Sequence, residues 1–150
     1  MSQSLCKIHL HMVFSTKNRR PLLTPDARHM LFPYMAHRLA SMGCPAVEIG
    51  GVQDLVHILA TMAKSLSVED LMKDLKATSS QWMKKQDIQY HDFYWQSGYG
   101  VFAISPSHVA RVREYIIDQE KHHAKESFQE EFLKILNRYQ IQYDERYLWD

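Results

Sequence analysis

Gly50-Gly51-Val52-Gln53-Asp54-Leu55-Val56-His57-Ile58-Leu59-Ala60-Thr61-Met62 decides how this chain is read. The two glycines read as a tight turn, and the apolar run after them as a buried strand with one histidine in it. In an extended strand residues 55, 57 and 59 share one face and 54, 56 and 58 the other, so His57 projects between two leucines. A buried imidazole there needs a partner. Read alone, that partner is a neighbouring side chain or a backbone carbonyl, as for most core histidines.

Working outward, Leu5 to Thr16 alternates Ile8, Leu10, Met12 and Phe14 against His9, His11 and Val13, the period of a strand buried mainly on one side. The loop Lys17-Asn18-Arg19-Arg20-Pro21 ends it. Thr24-Pro25-Asp26 opens a helix with a hydroxyl cap, a first-turn proline and an acid, and Leu31, Met35 and Leu39 carry it toward Gly43. Pro33 inside that helix predicts a kink or restart. Cys44 to Ile49 reads as a short strand before the glycine turn. Ser67-Val68-Glu69-Asp70 caps a second helix with Leu71, Leu75, Thr78, Ser79 and Trp82 on its buried face.

Residues 93 to 104, from Phe93-Tyr94-Trp95 to Ile104, read as a strand interrupted at Gly98 or Gly100. Strand, helix, strand, strand, helix, strand is the order of an α+β, ferredoxin-like split βαβ sandwich. That fold sets the first and third strands side by side in an antiparallel-mixed sheet, which brings His9 or His11 near His57. Added C-terminal helices follow. Ser105-Pro106-Ser107 starts a third helix running to about His123, with Val109, Val112 and Ile116 as its apolar stripe and His108, Arg111, Tyr115, Gln119 and His122 as a second stripe. Ser127 begins the last, with Phe128, Phe132, Ile135, Leu136 and Tyr139 on its apolar side. The Tyr- and Trp-rich tail 141–150 is expected to pack against a body.

At 150 residues and 45% apolar composition the chain is expected to form a single domain over 1–150. No run long enough to cross a membrane and no signal-peptide pattern occurs, so a cytoplasmic location is expected. Cys6 and Cys44 form no metal or disulfide pattern. The formal charge is only +1, but residues 1–50 hold six Lys/Arg against two acids and the remainder twelve against fifteen. Positive potential therefore gathers around the first strand and its loop.

Asp54-Leu55-Val56-His57-Ile58-Leu59 resembles the HUH segment (histidine, hydrophobic residue, histidine) of the single-tyrosine transposases of small insertion sequences and their REP-associated relatives. Four more stretches resemble that family in the same order: His11 to Arg19, Trp95 to Phe102, Tyr115 to His123, and Ser127 to Phe132 with Tyr143 to Trp149. One position departs from the pattern, since Leu55 stands where the family has its first histidine.

The resemblance implies that Tyr115 is the nucleophile and that His57 and Gln119 are metal ligands for Mg²⁺ or Mn²⁺. It implies cleavage and rejoining of single-stranded DNA through a 5′-phosphotyrosine, with single-stranded or hairpin DNA as partner and a homodimer as assembly. Loss of the ligand at Leu55 is expected to weaken the metal site by 10–100-fold or more, on the scale of less direct ligand perturbations. His11 is a candidate substitute imidazole. Lys17, Arg19 and Arg20 are candidate DNA contacts, while His122 and His123 read as charges at a helix C-terminus rather than as ligands. The rival reading is a non-catalytic, transposase-derived protein that binds structured DNA; an RNA-binding or structural module rests on fold analogy alone.

Overall fold

The computed structural model describes residues 2–150. Its centre is a four-stranded sheet of β1 (His9–Ser15), β2 (Ala46–Val52), β3 (Leu55–Thr61) and β4 (Gly100–Ile104) in the order β2-β3-β1-β4. All three pairings are antiparallel, and β1 and β3 lie together in the middle as the element order requires. Helices α1 (Pro25–Ser41) and α2 (Val68–Lys84) cover one face. The other carries α3 (Val109–Ile117), α4 (Gln119–His123) and α5 (Phe128–Arg138), followed by the single turn α6 (Glu145–Leu148).

Strand alternation sorts the side chains between these layers. Leu10, Met12, Phe14, Val56, Ile58 and Ala60 enter the larger core with Leu31, Met35 and Leu39 of α1 and Leu71, Met72 and Leu75 of α2. Each fully buried aliphatic chain there contributes about 1.5–3 kcal/mol. Val13, Leu55, Val52 and Phe102 point the other way and meet Phe128, Phe132 and Leu136 of α5. His11 and His57 belong to this second face, among apolar neighbours.

The helix starts form as their caps suggest: Thr24, Ser67 and Ser127 accept from the amides of Ala27, Asp70 and Glu130. Each such cap is worth about 1 kcal/mol. Four local expectations are corrected. Pro33 does not interrupt α1; it sits on the exposed side, where the carbonyl that loses its bond can reach water. Gly50 and Gly51 are not the turn but lie within β2, paired with His57 and Val56, and the turn is Gln53-Asp54.

The fourth strand is shorter than its aromatic run. Phe93 and Trp95 are buried as loop residues, Trp95 through an isolated bridge to Thr16, and only Gly100–Ile104 joins the sheet. Finally, the third helix is broken at Asp118 (φ −91°, ψ 22°) into α3 and α4. The tail does pack: Asp150 O accepts from Gly98 N at 2.9 Å and Gln96 Nε2 at 3.3 Å, and Trp149 lies against Phe128 and Phe132. Among the described residues no helix is long and apolar enough to cross a membrane.

Candidate metal and nucleophile site

The β1–β3 register sets Val13 opposite His57 and His11 opposite Leu59, so the two imidazoles are diagonal neighbours on one face. His11 Nε2 and His57 Nδ1 lie 2.8 Å apart, with the rings stacked at 5.0 Å. The first strand therefore presents His11 toward His57, within hydrogen-bond distance of its ring. Burial pushes His11 down to about 4, and burial together with His11 and His123 holds His57 well below its ordinary value. Both rings are neutral at pH 7.

Tyr115 reaches this pair because α3 lies unusually close to the sheet edge. A Cβ on Gly50 would stand 2.5 Å from the carbonyl oxygen of Ile116 and 2.8 Å from its Cγ2. Glycine at 50 thus lets the helix settle on β2 opposite His57, where any other residue would prop it away. The Tyr115 ring meets His57 edge-on at 5.8 Å and His11 at 6.4 Å, and His122 packs on its other side at 4.5 Å. An Arg28–Glu120 contact at 2.8 Å links α4 back to α1.

Tyr115 is half-buried and lines a cleft of about 240 Å³ with His11, Arg111, Lys134 and Arg138. Gln119, one turn on, is buried; its Nε2 donates to Tyr115 O at 3.3 Å, and its Oε1 has no hydrogen-bond partner among the described residues. An unpartnered buried amide oxygen suits a cation.

Leu55 does not. It is fully buried among Val13, Val52, Phe102, Phe128, Phe132 and Leu136, so the position of the family's first histidine is an apolar nest. The complete HUH ligand set does not fit this chain. His57 Nε2 turns instead toward Glu131 of α5, 3.4 Å from Oε1, while His123 Nε2 of α4 lies 2.9 Å from Oε2. These three residues form a possible His/Glu metal site, with one donor atom of each within 4.8 Å of the others. Burial raises Glu131 to about 7 and lowers His123.

His123 ends α4 as expected, but its ring also turns to Glu131, which went unnoticed. A signal for Glu131 existed: it falls inside the stripe Phe128, Phe132, Ile135, Leu136, where a carboxylate has no ordinary place. The basic loop divides. Arg19 is near enough to Asp54 to bear on its charge, as is His123. Lys17 Nζ instead lies 5.9 Å over the Tyr94 ring, and Arg20 pairs with Asp92 at 2.7 Å.

The fold is that of an α+β domain, an antiparallel four-stranded sheet with helices on both faces. Residues 4–119 match the family of IS200-like transposases, and the chain is a member of that family. Its fold is similar to that of a Deinococcus radiodurans R1 protein assigned as a transposase, at TM-score 0.62 and 22% identity over 79% of this chain and 98% of that one. It is also similar to a REP-associated tyrosine transposase bound to a REP hairpin, at TM-score 0.60 and 14% identity over 82% of this chain and 74% of that one. No curated protein matches the chain.

Proposed function

We propose that this transposase cleaves and rejoins single-stranded DNA with Tyr115 as nucleophile. The phenolic oxygen attacks a phosphodiester, a Tyr–O–P bond forms, the P–O3′ bond breaks, and the departing 3′ oxygen takes a proton as a free hydroxyl. The 5′-phosphotyrosine keeps the strand end activated, so rejoining reverses the same exchange and needs no external energy source. The observation that carries this reading is the Tyr115 ring set against the His11–His57 pair, with His11 and Tyr115 lining a cleft that also holds Arg111, Lys134 and Arg138 beside Glu126 and Glu131. Arg111 and Arg138 are suited to the scissile phosphate and its neighbours, as is Lys134 after release from its ion pair with Glu126.

His57 and Gln119 are the family-type ligands that remain, and a bound Mg²⁺ or Mn²⁺ would polarise the phosphate and stabilise charge on the leaving oxygen. Lys17, Arg19 and Arg20 would follow the strand beyond the cleft, Arg20 after release from Asp92. A hairpin DNA is the natural substrate to try, since one structural neighbour is bound to a REP hairpin. Tyr115 meets His57 of its own chain, so a homodimer, expected from the family, would not be needed to supply the nucleophile.

The second reading, a non-catalytic binder of structured DNA, is favoured by one observation: the apolar burial of Leu55. A hairpin-bearing oligonucleotide with Mn²⁺ separates the two. A covalent adduct resistant to denaturant and absent in Tyr115→Phe supports the nuclease; hairpin binding with no adduct supports the binder.

A further inference from the structure

We infer that His57, His123 and Glu131 are the ligands of a divalent transition-metal centre assembled from β3, α4 and α5. This centre takes over the role that the strand loses at Leu55. It deepens the reading above and rests on it only in assigning the ion to Tyr115's chemistry; the ligand set stands on its own geometry.

The first argument is polar satisfaction. Glu131 is buried beside Phe128 and Phe132, yet neither of its oxygens is engaged in a well-directed hydrogen bond, and the same holds for His57 Nε2 and His123 Nε2. The nitrogens approach to 3.4 and 2.9 Å without aiming at the oxygens. A structural ion pair buried this deeply needs directed bonds to offset desolvation. Groups that crowd together without bonding one another are arranged for something between them. Bonds of 2.0–2.1 Å at tetrahedral angles put ligand atoms about 3.4 Å apart, the separation of His57 Nε2 from Glu131 Oε1, while His123 Nε2 stands nearer, 2.9 Å from the other oxygen.

The second argument is the partner of His57. Its Nδ1 lies 2.8 Å from His11 Nε2. The tautomer that donates Nδ1–H to His11 leaves the Nε2 lone pair directed toward Glu131, the outer-shell arrangement typical of metal-bound histidine. His11 is thus a positioning residue rather than a ligand. Gln119 Oε1, buried and unpartnered on the same short helix as His123, is the natural additional donor.

The third argument ties the ligands to Leu55. The helix whose Phe128 and Phe132 enclose Leu55 is the one that presents Glu131 to His57. Filling the strand position with an isobutyl group and supplying a carboxylate from α5 belong to one packing arrangement. Two imidazoles and a carboxylate suit Mn²⁺, Co²⁺ or Zn²⁺ more than Mg²⁺, which prefers oxygen and retains water.

The test uses the full chain carrying Tyr115→Phe, without DNA. Calorimetric titration with Mn²⁺ and with Zn²⁺ is expected to give one ion per chain, with Mg²⁺ at least about 10-fold weaker. Glu131→Gln and His123→Ala are each expected to weaken Mn²⁺ at least about 10-fold, and His37→Ala, on the exposed side of α1, to leave it unchanged. Pulsed EPR of the Mn²⁺ complex should count two imidazoles in the parent and one in His123→Ala. Glu131→Gln keeps the side chain's shape, so it decides the matter if His123→Ala does not fold. No Mn²⁺ or Zn²⁺ binding, unchanged affinity in Glu131→Gln, or a single imidazole in the parent overturns the proposal. Adduct formation by the Tyr115 protein alongside such a failure would leave the nuclease intact, and binding as described without any adduct would do the reverse.

Discussion

Replacing Gly50 with alanine tests whether the approach of α3 to the sheet is what brings Tyr115 to His57. The added Cβ would stand 2.5 Å from Ile116 O, against 3.4 Å for the lower end of ordinary contact, so helix and strand must separate by roughly 1 Å. Backbone lies on both sides, and no flexible side chain can absorb the clash. Overpacking of this kind costs about 1–3 kcal/mol. Because Tyr115 adjoins Ile116, its ring moves with the helix, and a misplacement near 1 Å can cost about 100-fold in rate. Gly98→Ala is the control, since its Cβ finds nothing nearer than 3.5 Å and should cost under about 0.5 kcal/mol. Urea unfolding gives the stability, and the rate of covalent adduct formation on a hairpin oligonucleotide gives the activity. Should Gly50→Ala unfold with the parent's midpoint and form adduct at the parent's rate, the close approach would have no bearing on the site.

Three further outcomes are expected. With metal chelated, Glu131 is raised from 4.5 to about 7, so the folded state binds more protons across that window and stability falls as pH rises through it. Glu131→Gln should therefore unfold later than the parent at pH 8, by up to roughly 3 kcal/mol, with no difference near pH 4; a parent more stable at pH 8 would contradict the burial argument. Leu55→His restores the family's residue but puts a polar ring among Phe102, Phe128 and Phe132. It should lose about 1–3 kcal/mol without raising Mn²⁺ affinity, and a gain in affinity would show that the strand position still serves an ion. His11→Leu removes the partner of His57 Nδ1 and should cost about 1–3 kcal/mol by urea titration; an unchanged midpoint would mean that the imidazole pair contributes nothing to stability.

Much of this was legible because it depends on local periodicity. Alternation about His11 and His57 gave the two central strands and their shared face, and the hydroxyl caps gave the helix starts. The glycines misled because two in succession resemble a turn, whereas Gly51 makes room for the carbonyl of Leu55 across the hairpin and the use of Gly50 depends on a helix some 65 residues later in the chain. Nothing near Gly50 announces that Ile116 will press on it. The aromatic run from Phe93 misled in the opposite way: strand-like composition marked burial, and Phe93 and Trp95 achieve it from a loop. His123 was hidden by its neighbour, since a basic residue at a helix end already has an explanation.

Leu55 illustrates why a missing ligand is hard to weigh from sequence. Its consequence depends on what fills the space, and that is decided by α5, more than 70 positions away. An exposed or loosely packed leucine would have left His57 with Gln119 alone and argued for decay. Instead the isobutyl group is enclosed by phenylalanines of the helix that carries Glu131. A helix that only sealed an abandoned site would gain nothing from a buried carboxyl group facing two imidazoles, because neither of its oxygens makes a directed hydrogen bond there. Leucine or methionine at 131 would complete the same apolar stripe at lower cost. A carboxyl group kept beside two imidazoles therefore argues that the site is rebuilt around an ion rather than closed.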